Sequence, residues 1–284
     1  MRLAPEGLNI RDIDPWDALY IARDKGKIVN VTIVRTRQVN GQGLTWETSF
    51  GDQENLFEIV GLIPESESGL PDGISMNWFR NQSVAAKVKG IDRRNNIVAL
   101  SRREVVEENL SRLLDQLEES ERLYALIRAA RPAGIVVDIG GGVLIDIPRK
   151  KINLSRAVPI EVQYTPGQLA KVEVTGIDKT SKRIDVAIID PWQPNEFARG
   201  EMVTGKIVQT VDNVAFVQVR PGLVGIAPYP KSEHMGIGDT ASYQVRKYDA
   251  DGRVLHLVRW DDERIRGRRG QRARRIRKEA SSPE

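Results

Sequence analysis

The sequence predicts an all-β protein with linker helices, in which three similar five-stranded barrels follow one another along the chain. The main observation is a segment that occurs three times: a short strand runs into an aspartate, a polar turn and another short strand. The copies are VAAKVKGIDRRNNIVALS, AKVEVTGIDKTSKRIDVAI and ASYQVRKYDADGRVLHLV. Their aspartates, Asp92, Asp178 and Asp249, are 86 and 71 residues apart. A unit that recurs at domain-sized spacing indicates an array of similar modules, and such an array favours binding of an extended partner.

Composition agrees with folded modules. The chain has 284 residues, 40% of them hydrophobic and 29% charged, which suits two or three globular domains. No apolar run approaches the roughly 20 residues that a helix needs to cross a bilayer, and the first residues contain no hydrophobic region of a signal peptide. The sequence contains no cysteine, so disulfides and thiolate metal sites are excluded. We expect a cytoplasmic protein with no membrane partner.

The first module is predicted to contain a short helix and five strands. Asp14 is a suitable N-cap before Pro15, and the helix ends near Gly26. β-Branched residues predict a strand from Lys27, and turn residues separate further strands at 44–50 and 56–63. A polar connection at 64–73 precedes the hairpin strands 84–88 and 97–100. Five short strands with a long connection between the third and fourth are the layout of an OB-type barrel.

The rest of the chain repeats this layout twice. Apolar residues at helical spacing predict a linker helix over 104–119. Strands are predicted from Leu123, Gly134 and Val143 in the second module, and a Pro-Trp-Gln-Pro segment from Pro191 marks its end. We therefore divide the chain into a lead-in helix (1–23), a first barrel (24–103), a linker helix (104–120), a second, degenerate barrel (121–191), a third barrel (192–262) and an arginine-rich tail (263–284).

The tail accounts for the net positive charge of the chain. Residues 264–284 hold nine cationic and two acidic residues, a net charge of +7, so the remainder carries −3 of the total of +4. A run of like charges repels itself and buries no core, and we expect the tail to be unfolded when free. Arginine forks suit phosphates, although a merely solubilising end is the alternative. The tail residues predicted to contact RNA are Arg266, Arg268, Arg269, Arg272, Arg274, Arg275 and Arg277.

Several segments resemble the S1 RNA-binding domain family. They are WDAL from Trp16 with GKIV from Gly26, GLIPES from Gly61, and the longest, IDRRNNIVALSRR from Ile91. The resemblance covers roughly residues 14–260 and is most specific in the first module. It implies tandem S1-like barrels that bind single-stranded RNA on one face, through aromatic and basic residues of the second, third and fifth strands. Such a face follows the backbone with cations and stacks bases on aromatic rings.

The chain departs from the family pattern at the second-strand aromatic. Phe216 keeps it in the third module, and Trp46 offers it in the first, where a shift of one residue in register would turn the ring inward. Aliphatic residues replace it in the second module, at Ile135–Val137, so we expect that module to be a spacer or a protein contact. The third-strand histidine of the family is missing, and Pro64, Pro148 and Pro228 lie near its place.

The predicted RNA-binding residues of the barrels are basic and aromatic side chains. In the first barrel they are Arg35, Arg37, Trp46, Lys87, Lys89, Arg93 and Arg94. In the third barrel they are Lys206, Phe216, Tyr229, Lys231, Arg246 and Lys247. Lys87 and Lys89 alternate with apolar neighbours, so both are predicted to face away from the core. The alternative for the basic set is an ordinary solvated strand face, and for Trp46 a place in the core.

Other residue patterns are interpreted as structural. The three recurring aspartates lie in β-turns on separate barrels, where a carboxylate accepts hydrogen bonds from backbone amides. Gly140–Gly142 is not followed by the Lys-Ser/Thr of a phosphate loop, and we expect a hairpin turn. His234 and His256 are the only histidines, and no third ligand lies nearby to complete a zinc site. We predict no metal, no cofactor and no catalytic residues.

These observations favour a non-catalytic, RNA-binding protein. Its predicted partners are single-stranded RNA and the ribosome or other RNA-processing machinery, with the first and third barrels holding separate stretches of one strand. One alternative is an adaptor that docks a ribosome, polymerase or nuclease partner, which the near-neutral body favours. Another is a binder of single-stranded DNA, because stacking and phosphate contacts do not require a 2′-hydroxyl.

Overall fold

A computed structural model describes residues 14–39, 43–50, 59–155, 158–229 and 235–260. The chain forms two compact units. The first comprises Met1–Ile152 and Thr165–Ile189, and the second comprises Asn153–Tyr164 and Asp190–Glu284. Within the described ranges no helix is both long and apolar enough to cross a membrane. The predicted all-β class with linker helices is confirmed, because the described elements are mainly strands that form three sheets.

The first unit begins with helix α1 (Pro15–Asp24) and a closed barrel. Its strands are β1 (Ile28–Val39), β2 (Gly43–Ser49), β3 (Val60–Pro64), β4 (Ser83–Asp92) and β5 (Ile97–Ser101). They are ordered β1-β2-β3-β5-β4 around the barrel, with β3 and β5 parallel. The Asp14 side chain caps α1 by accepting from the Trp16 amide at 3.0 Å. The barrel interior is filled by large apolar side chains, among them Ile33, Trp46, Ile63, Phe79 and Leu100.

The same unit contains helix α2 (Arg103–Gln116) and a second sheet. The helix matches the linker helix predicted from apolar spacing. The strands of the sheet are β6 (Arg122–Arg131), β7 (Gly134–Asp138), β8 (Leu144–Pro148), β9 (Leu169–Asp178) and β10 (Arg183–Ile188). Their order is β10-β9-β6-β7-β8, which is the order of the first barrel except that β8 and β10 are not paired. Two of the three predicted barrels are therefore closed, and the second is an open five-stranded sheet.

The second unit contains the third barrel. Its strands are β11 (Met202–Val211), β12 (Val214–Arg220), β13 (Leu223–Pro228), β14 (Thr240–Asp249) and β15 (Val254–Arg259), in a closed order equal to that of the first barrel. Helix α3 (Ile160–Gln163), in the connection between β8 and β9, belongs to this unit. The Gln163 carbonyl accepts from the Gly222 amide at 2.9 Å and from the Gln218 side chain at 2.7 Å.

A buried arginine connects the two sheets of the first unit. Arg102, at the start of α2, is only 2% exposed. Its guanidinium donates to the carbonyls of Ser68 at 2.7 Å and Gly69 at 3.2 Å, after β3, and of Gly142 at 2.6 Å, between β7 and β8. Burial lowers the pKa of Arg102 to about 10, and the charge of Asp138 opposes this shift. The group therefore stays charged at neutral pH, and it satisfies carbonyls from two sheets at once.

Replacing this arginine by methionine tests how much the first unit depends on it. Arg102→Met leaves three carbonyl oxygens without their donor, and each buried unsatisfied group costs about 1–3 kcal/mol. We expect the opening free energy of β5 and β7 amides to fall by at least about 3 kcal/mol in hydrogen exchange. The matched control is Arg103→Met, whose half-exposed pair with Glu67 is worth less than about 1 kcal/mol. Equal losses in the two variants would contradict this role.

Candidate nucleic-acid interface

The three modules share two irregularities that align them residue by residue. In each, the pairing of the first strand with the second shifts at one place: between Ile33 and Arg35, Ile127 and Ala129, and Ile207 and Gln209. The pairing of the fourth strand with the fifth shifts at a second place. Counting from these bulges, one outward-facing position of the second strand is occupied by Glu47, Val136 and Phe216. The three side chains have different surroundings, and only one is suited to stack a base.

In the third barrel this position starts a row of side chains that crosses the outer face. Phe216 is opposite Ile226, Ile226 is opposite His256, and His256 is opposite Lys247. Ala215 and Val217 fill the interior on either side of Phe216, as the alternation of strand residues predicts. Phe216 is half-buried, whereas His256 and Lys247 are exposed. An aromatic face, an imidazole and an ammonium group therefore lie along one path; we call these four residues the third-barrel row.

Three cations next to this row are free of acidic partners. Lys206, Arg246 and Lys247 are exposed, and none forms an ion pair within the part of the chain that the structure describes. Tyr229 is less accessible than predicted, because its ring packs against the barrel core and its hydroxyl donates to the Met235 carbonyl. The predicted contact Lys231 lies outside the described residues. The free cations give this face a positive potential suited to phosphates.

The first barrel does not present Trp46 on its surface, so its predicted stacking role is corrected. The Trp46 side chain is 0% exposed. Its indole Nε1 donates to the Met76 carbonyl at 2.9 Å, and its ring lies 5.5 Å from that of Phe79. The bulge after Ile33 sets the register in which Trp46 points inward and Glu47 takes the outward position. A carboxylate in place of an aromatic ring cannot stack a base and repels phosphate.

The cations predicted for the first barrel are mostly paired with carboxylates. Arg35 and Arg37 both donate to Glu47, the latter at 2.6 Å, and Glu47 is itself only 7% exposed. Lys87 and Lys89 face away from the core as predicted, but they pair with Glu108 and Glu104 of α2. The Lys87 hydrogen bond lowers the pKa of Glu108. These three carboxylates offset three of the four positive charges of this part of the predicted basic patch.

Two further cations complete the first-barrel set. Arg93 donates to Asp14 at 2.7 Å and lies 6.0 Å from the centre of the Trp16 ring. Arg94 is exposed and has no ion pair among the described residues.

Two aromatic residues that precede β4, Trp78 and Phe79, lie in a 3-10 turn rather than a strand. Phe79 is buried, and the half-exposed Trp78 is covered by the guanidinium of Arg131 at 4.9 Å.

The second sheet uses the corresponding face for packing. Val136, at the position of Phe216, is 0% exposed, and with Ala129 and Leu144 it belongs to the apolar cluster of the first barrel. The Gln82 side chain donates to the Arg128 carbonyl at 2.8 Å, and Arg128 donates to the Ser83 carbonyl at 3.1 Å. This face is therefore covered by the first barrel, and the role of the module as a spacer or protein contact stays a prediction.

The recurring aspartates build three equivalent turns. Asp92 accepts from the Arg94 and Asn95 amides, Asp178 from the Thr180 and Ser181 amides, and Asp249 from the Gly252 amide. The residue four places after each aspartate has a positive φ of 53–55°. Hydrogen bonds from the Asn95 and Ser181 side chains are the largest causes that lower the pKa values of Asp92 and Asp178. The structural interpretation of these residues accounts for every contact described.

The remaining chemistry-bearing patterns are also structural. Asp138 accepts from the amides of Gly140 at 2.9 Å and Gly142 at 3.1 Å, so the glycine run is a hairpin turn between β7 and β8. Within the described ranges no cluster of three or more metal-ligating side chains is found. His234 lies outside those ranges. His256 is exposed between the buried Leu255 and Leu257.

The turn chemistry makes a prediction about acid titration. Ser181→Ala removes the hydroxyl that donates to Asp178, so the Asp178 pKa should rise toward the unperturbed value of about 3.9. Because the folded pKa lies below that value, this turn's contribution to stability is present at neutral pH and is lost as the pH falls through the folded pKa. Carboxyl-carbon NMR measures the midpoint. Asp92, in an equivalent turn, is the internal control, and a shift of both midpoints would contradict the assignment.

The strand order of the two closed barrels is that of the OB-type class. Within that class, a model of the S1 RNA-binding domain family matches residues 118–189. These residues comprise the second sheet, so that module is similar to the S1 RNA-binding domain, and the resemblance predicted from the sequence is confirmed. The matched module is the one whose outer face is buried, and the free third-barrel row lies outside the matched residues.

Curated relatives extend the similarity along the chain. Small ribosomal subunit protein bS1 of Staphylococcus saprophyticus is 29% identical over 190 residues, which are 63% of this chain and 48% of that protein. The bS1 protein of Rhodopseudomonas palustris is 29% identical over 181 residues, 59% of this chain and 31% of the relative. The bS1 protein of Staphylococcus epidermidis is 28% identical over 217 residues, which are 72% of this chain and 54% of that protein. The chain therefore spans about half the length of these relatives, or less.

Among solved structures, one similar chain is a multidomain protein with nucleic acid binding domains from Streptococcus pneumoniae TIGR4. It is 13% identical, with a TM-score of 0.27, and the match covers 82% of this chain and 73% of that one. A TM-score of this size supports no argument about this protein.

Sequence reasoning did not identify His256 and Ile226 as members of the third-barrel row. The signal was present in the Leu255-His256-Leu257 alternation, which places the imidazole outside the barrel. The family resemblance directed the search for a histidine to the third strand. Here the imidazole comes from β15, next to that strand, because Ile226 and His256 are paired.

Proposed function

We propose that this chain is a cytoplasmic binding protein that holds single-stranded RNA on its third barrel. The observation that carries the proposal is the third-barrel row, in which Phe216, His256 and Lys247 follow one another across an open face beside unpaired cations. Stacking on Phe216 would contribute about 1–3 kcal/mol per base, and Lys206 and Lys247 would contact phosphates. The proposal requires no metal, no cofactor and no chemical step.

The first barrel has a smaller part in this proposal than the sequence suggested. Glu47 lies where Phe216 lies in the third barrel, and most of the neighbouring cations have acidic partners. Arg94 is the exposed exception among the predicted residues of that barrel. We therefore assign the main contact with bases to the third barrel. The arginine-rich tail, residues 264–284, adds electrostatic affinity through its nine cations.

Ribosome association is the biological setting that the relatives support. The similar proteins are named small ribosomal subunit protein bS1, and the matched family model is described as an RNA-binding domain. We propose that the ligand is messenger RNA or another unpaired transcript close to the ribosome. Single-stranded DNA is a second ligand class, because stacking on Phe216 does not distinguish the two sugars.

A protein-interaction adaptor is the second candidate function. The observation that favours it is an exposed apolar pair on the second sheet, Tyr124 at 62% and Leu169 at 57% exposure. The neighbouring Lys171 lies 5.8 Å from the centre of the Tyr124 ring. Aromatic residues such as tyrosine are enriched at protein interfaces. In this candidate the first unit docks a ribosomal or other protein, and RNA contacts only the tail.

Phe216→Ala distinguishes the two candidates. Removing the ring should weaken binding of a mixed-sequence, unpaired RNA 12-mer to the full chain about 10-fold, because one stacked base is lost. Fluorescence anisotropy at fixed salt measures the dissociation constant, with a DNA 12-mer of the same sequence in parallel. The matched control is Tyr124→Ala, an exposed aromatic of the first unit, which should leave the affinity unchanged. Unchanged affinity in Phe216→Ala would reject the third barrel as the RNA-binding face.

Removal of the tail charge tests its proposed role separately. Replacing the nine cations of residues 264–278 by serine should weaken binding and flatten its dependence on salt, because fewer counterions are released. The slope of log affinity against log salt concentration is the quantity to measure. Phe216→Ala is the control, since it should lower affinity and leave that slope nearly unchanged. A slope that persists after the serine replacement would reject the electrostatic role of the tail.

A further inference from the structure

A pocket lies on the third barrel beside the pairing of β13 with β15. The two strands are joined by one register pair, Ile226 with His256, whereas the same seam of the first barrel has three pairs. The pocket has a volume of about 350 Å³. Val214, Ile226 and Val258 contribute apolar walls, and Asn213, Arg246 and His256 contribute polar groups. It lies beside the third-barrel row and shares Ile226 and His256 with it.

The first barrel has different groups at the corresponding place. Aligned by the bulges, Lys89 occupies the position of Arg246 and Pro64 that of Pro228. There Lys89 pairs with Glu104 at 2.5 Å, and the chain after Pro64 forms a 3-10 turn, Glu65–Glu67, that packs on α2. In the third barrel, Arg246 has no such partner among the described residues.

Asn213 is held at the end of the pocket by its backbone. It belongs to the two-residue turn between β11 and β12, where Asp212 adopts a φ of +53°. Its carbonyl accepts from the Tyr229 amide at 2.7 Å, which fixes the turn against the end of β13. The Asn213 side-chain amide makes no hydrogen bond with another described residue. The Asn213 side chain therefore offers one amide donor group and one carbonyl acceptor at the end of the pocket.

The polar groups of the pocket are suited to the N7 edge of a purine. An asparagine amide pairs with N6 and N7 of adenine, and an arginine fork pairs with O6 and N7 of guanine. Both patterns use N7, an acceptor that purines have and pyrimidines lack. The apolar walls suit the flat face of a ring, and the volume suits a single base better than a longer segment.

We propose that this pocket is a purine-binding subsite, in which Asn213 and Arg246 read the N7 edge of one unpaired base stacked beside His256. The inference rests on the proposed function, because it adds base selection to the same face. Phe216 would hold the neighbouring base of the strand without regard to its identity, and the pocket would set the register of the RNA. Asn213 and Arg246 are thus specificity-determining residues.

The test uses the full chain and 5′-labelled oligouridine 9-mers in which only the central nucleotide changes. The centres are uridine, cytidine, adenosine, guanosine and 7-deazaadenosine, which lacks the N7 acceptor. By anisotropy, we expect adenosine and guanosine to bind about 10-fold more tightly than uridine and cytidine, and 7-deazaadenosine to lose this advantage. Asn213→Ala and Arg246→Ala should each reduce the purine preference. Arg199→Ala, which removes an exposed cation of the same unit outside the pocket, should leave the preference intact.

The outcomes separate this inference from the proposed function. Equal affinity for all five oligonucleotides, or 7-deazaadenosine binding as tightly as adenosine, would overturn the purine subsite. If Phe216→Ala still weakened every oligonucleotide, the third barrel would remain the RNA-binding face. If Phe216→Ala had no effect either, both proposals would fail together. Thermal unfolding of Asn213→Ala and Arg246→Ala shows whether lost preference follows from lost structure.

Discussion

The arrangement of the first unit depends on a charge held away from water. Placing a guanidinium in a protein interior is unfavourable unless its donors are satisfied. Arg102 meets this condition with carbonyls that come from the connection after β3 and from the turn between β7 and β8. The second sheet must therefore lie where its glycine turn reaches the start of α2. Once it lies there, Val136 and its neighbours are covered by the first barrel.

The three modules share one strand order, but their outer faces differ. In the first barrel the outward position holds Glu47, which pairs with two arginines and offsets one of their charges, and two glutamates of α2 pair with two lysines. The second sheet uses its outward face for packing. The third barrel keeps the face open, with an aromatic ring, an imidazole and free cations. Repetition of a fold thus does not imply repetition of a binding site, because one residue at one register position decides what each face can do.

Much of the architecture could be predicted from the sequence, because the evidence for it is local. The threefold strand–turn–strand segment, the aspartate turns and the apolar spacing of α2 all lie within short stretches of chain. The outward row could be predicted only in part. Phe216 lies between two small apolar residues, which places it on the outer side, whereas Trp46 stands one position earlier relative to the same bulge and therefore points inward. A bulge shifts register by one residue, and such a shift exchanges the two faces of a strand.

The side-chain pairing was beyond sequence reasoning for a different reason. Lys89 and Glu104 are 15 residues apart on different elements, and only the packing of α2 on β4 brings them together. Arg37 and Glu47 meet across a strand pair whose register the same bulge controls. A count of basic residues therefore overestimated the charge of the first barrel. The unpaired cations of the third barrel carry more weight although they are fewer.

The connection between β8 and β9 determines which fragments of the chain can contain a complete unit. Because residues 153–164 belong to the second unit while their flanking strands belong to the first, the polypeptide passes between the units three times. No single cleavage yields two intact halves. A fragment that started at Asp190 would lack the Gln163 carbonyl that meets Gly222 and Gln218, and with it the buried Tyr164 ring that fits against Gly222. An isolated third barrel would therefore have to include residues 153–164 as well.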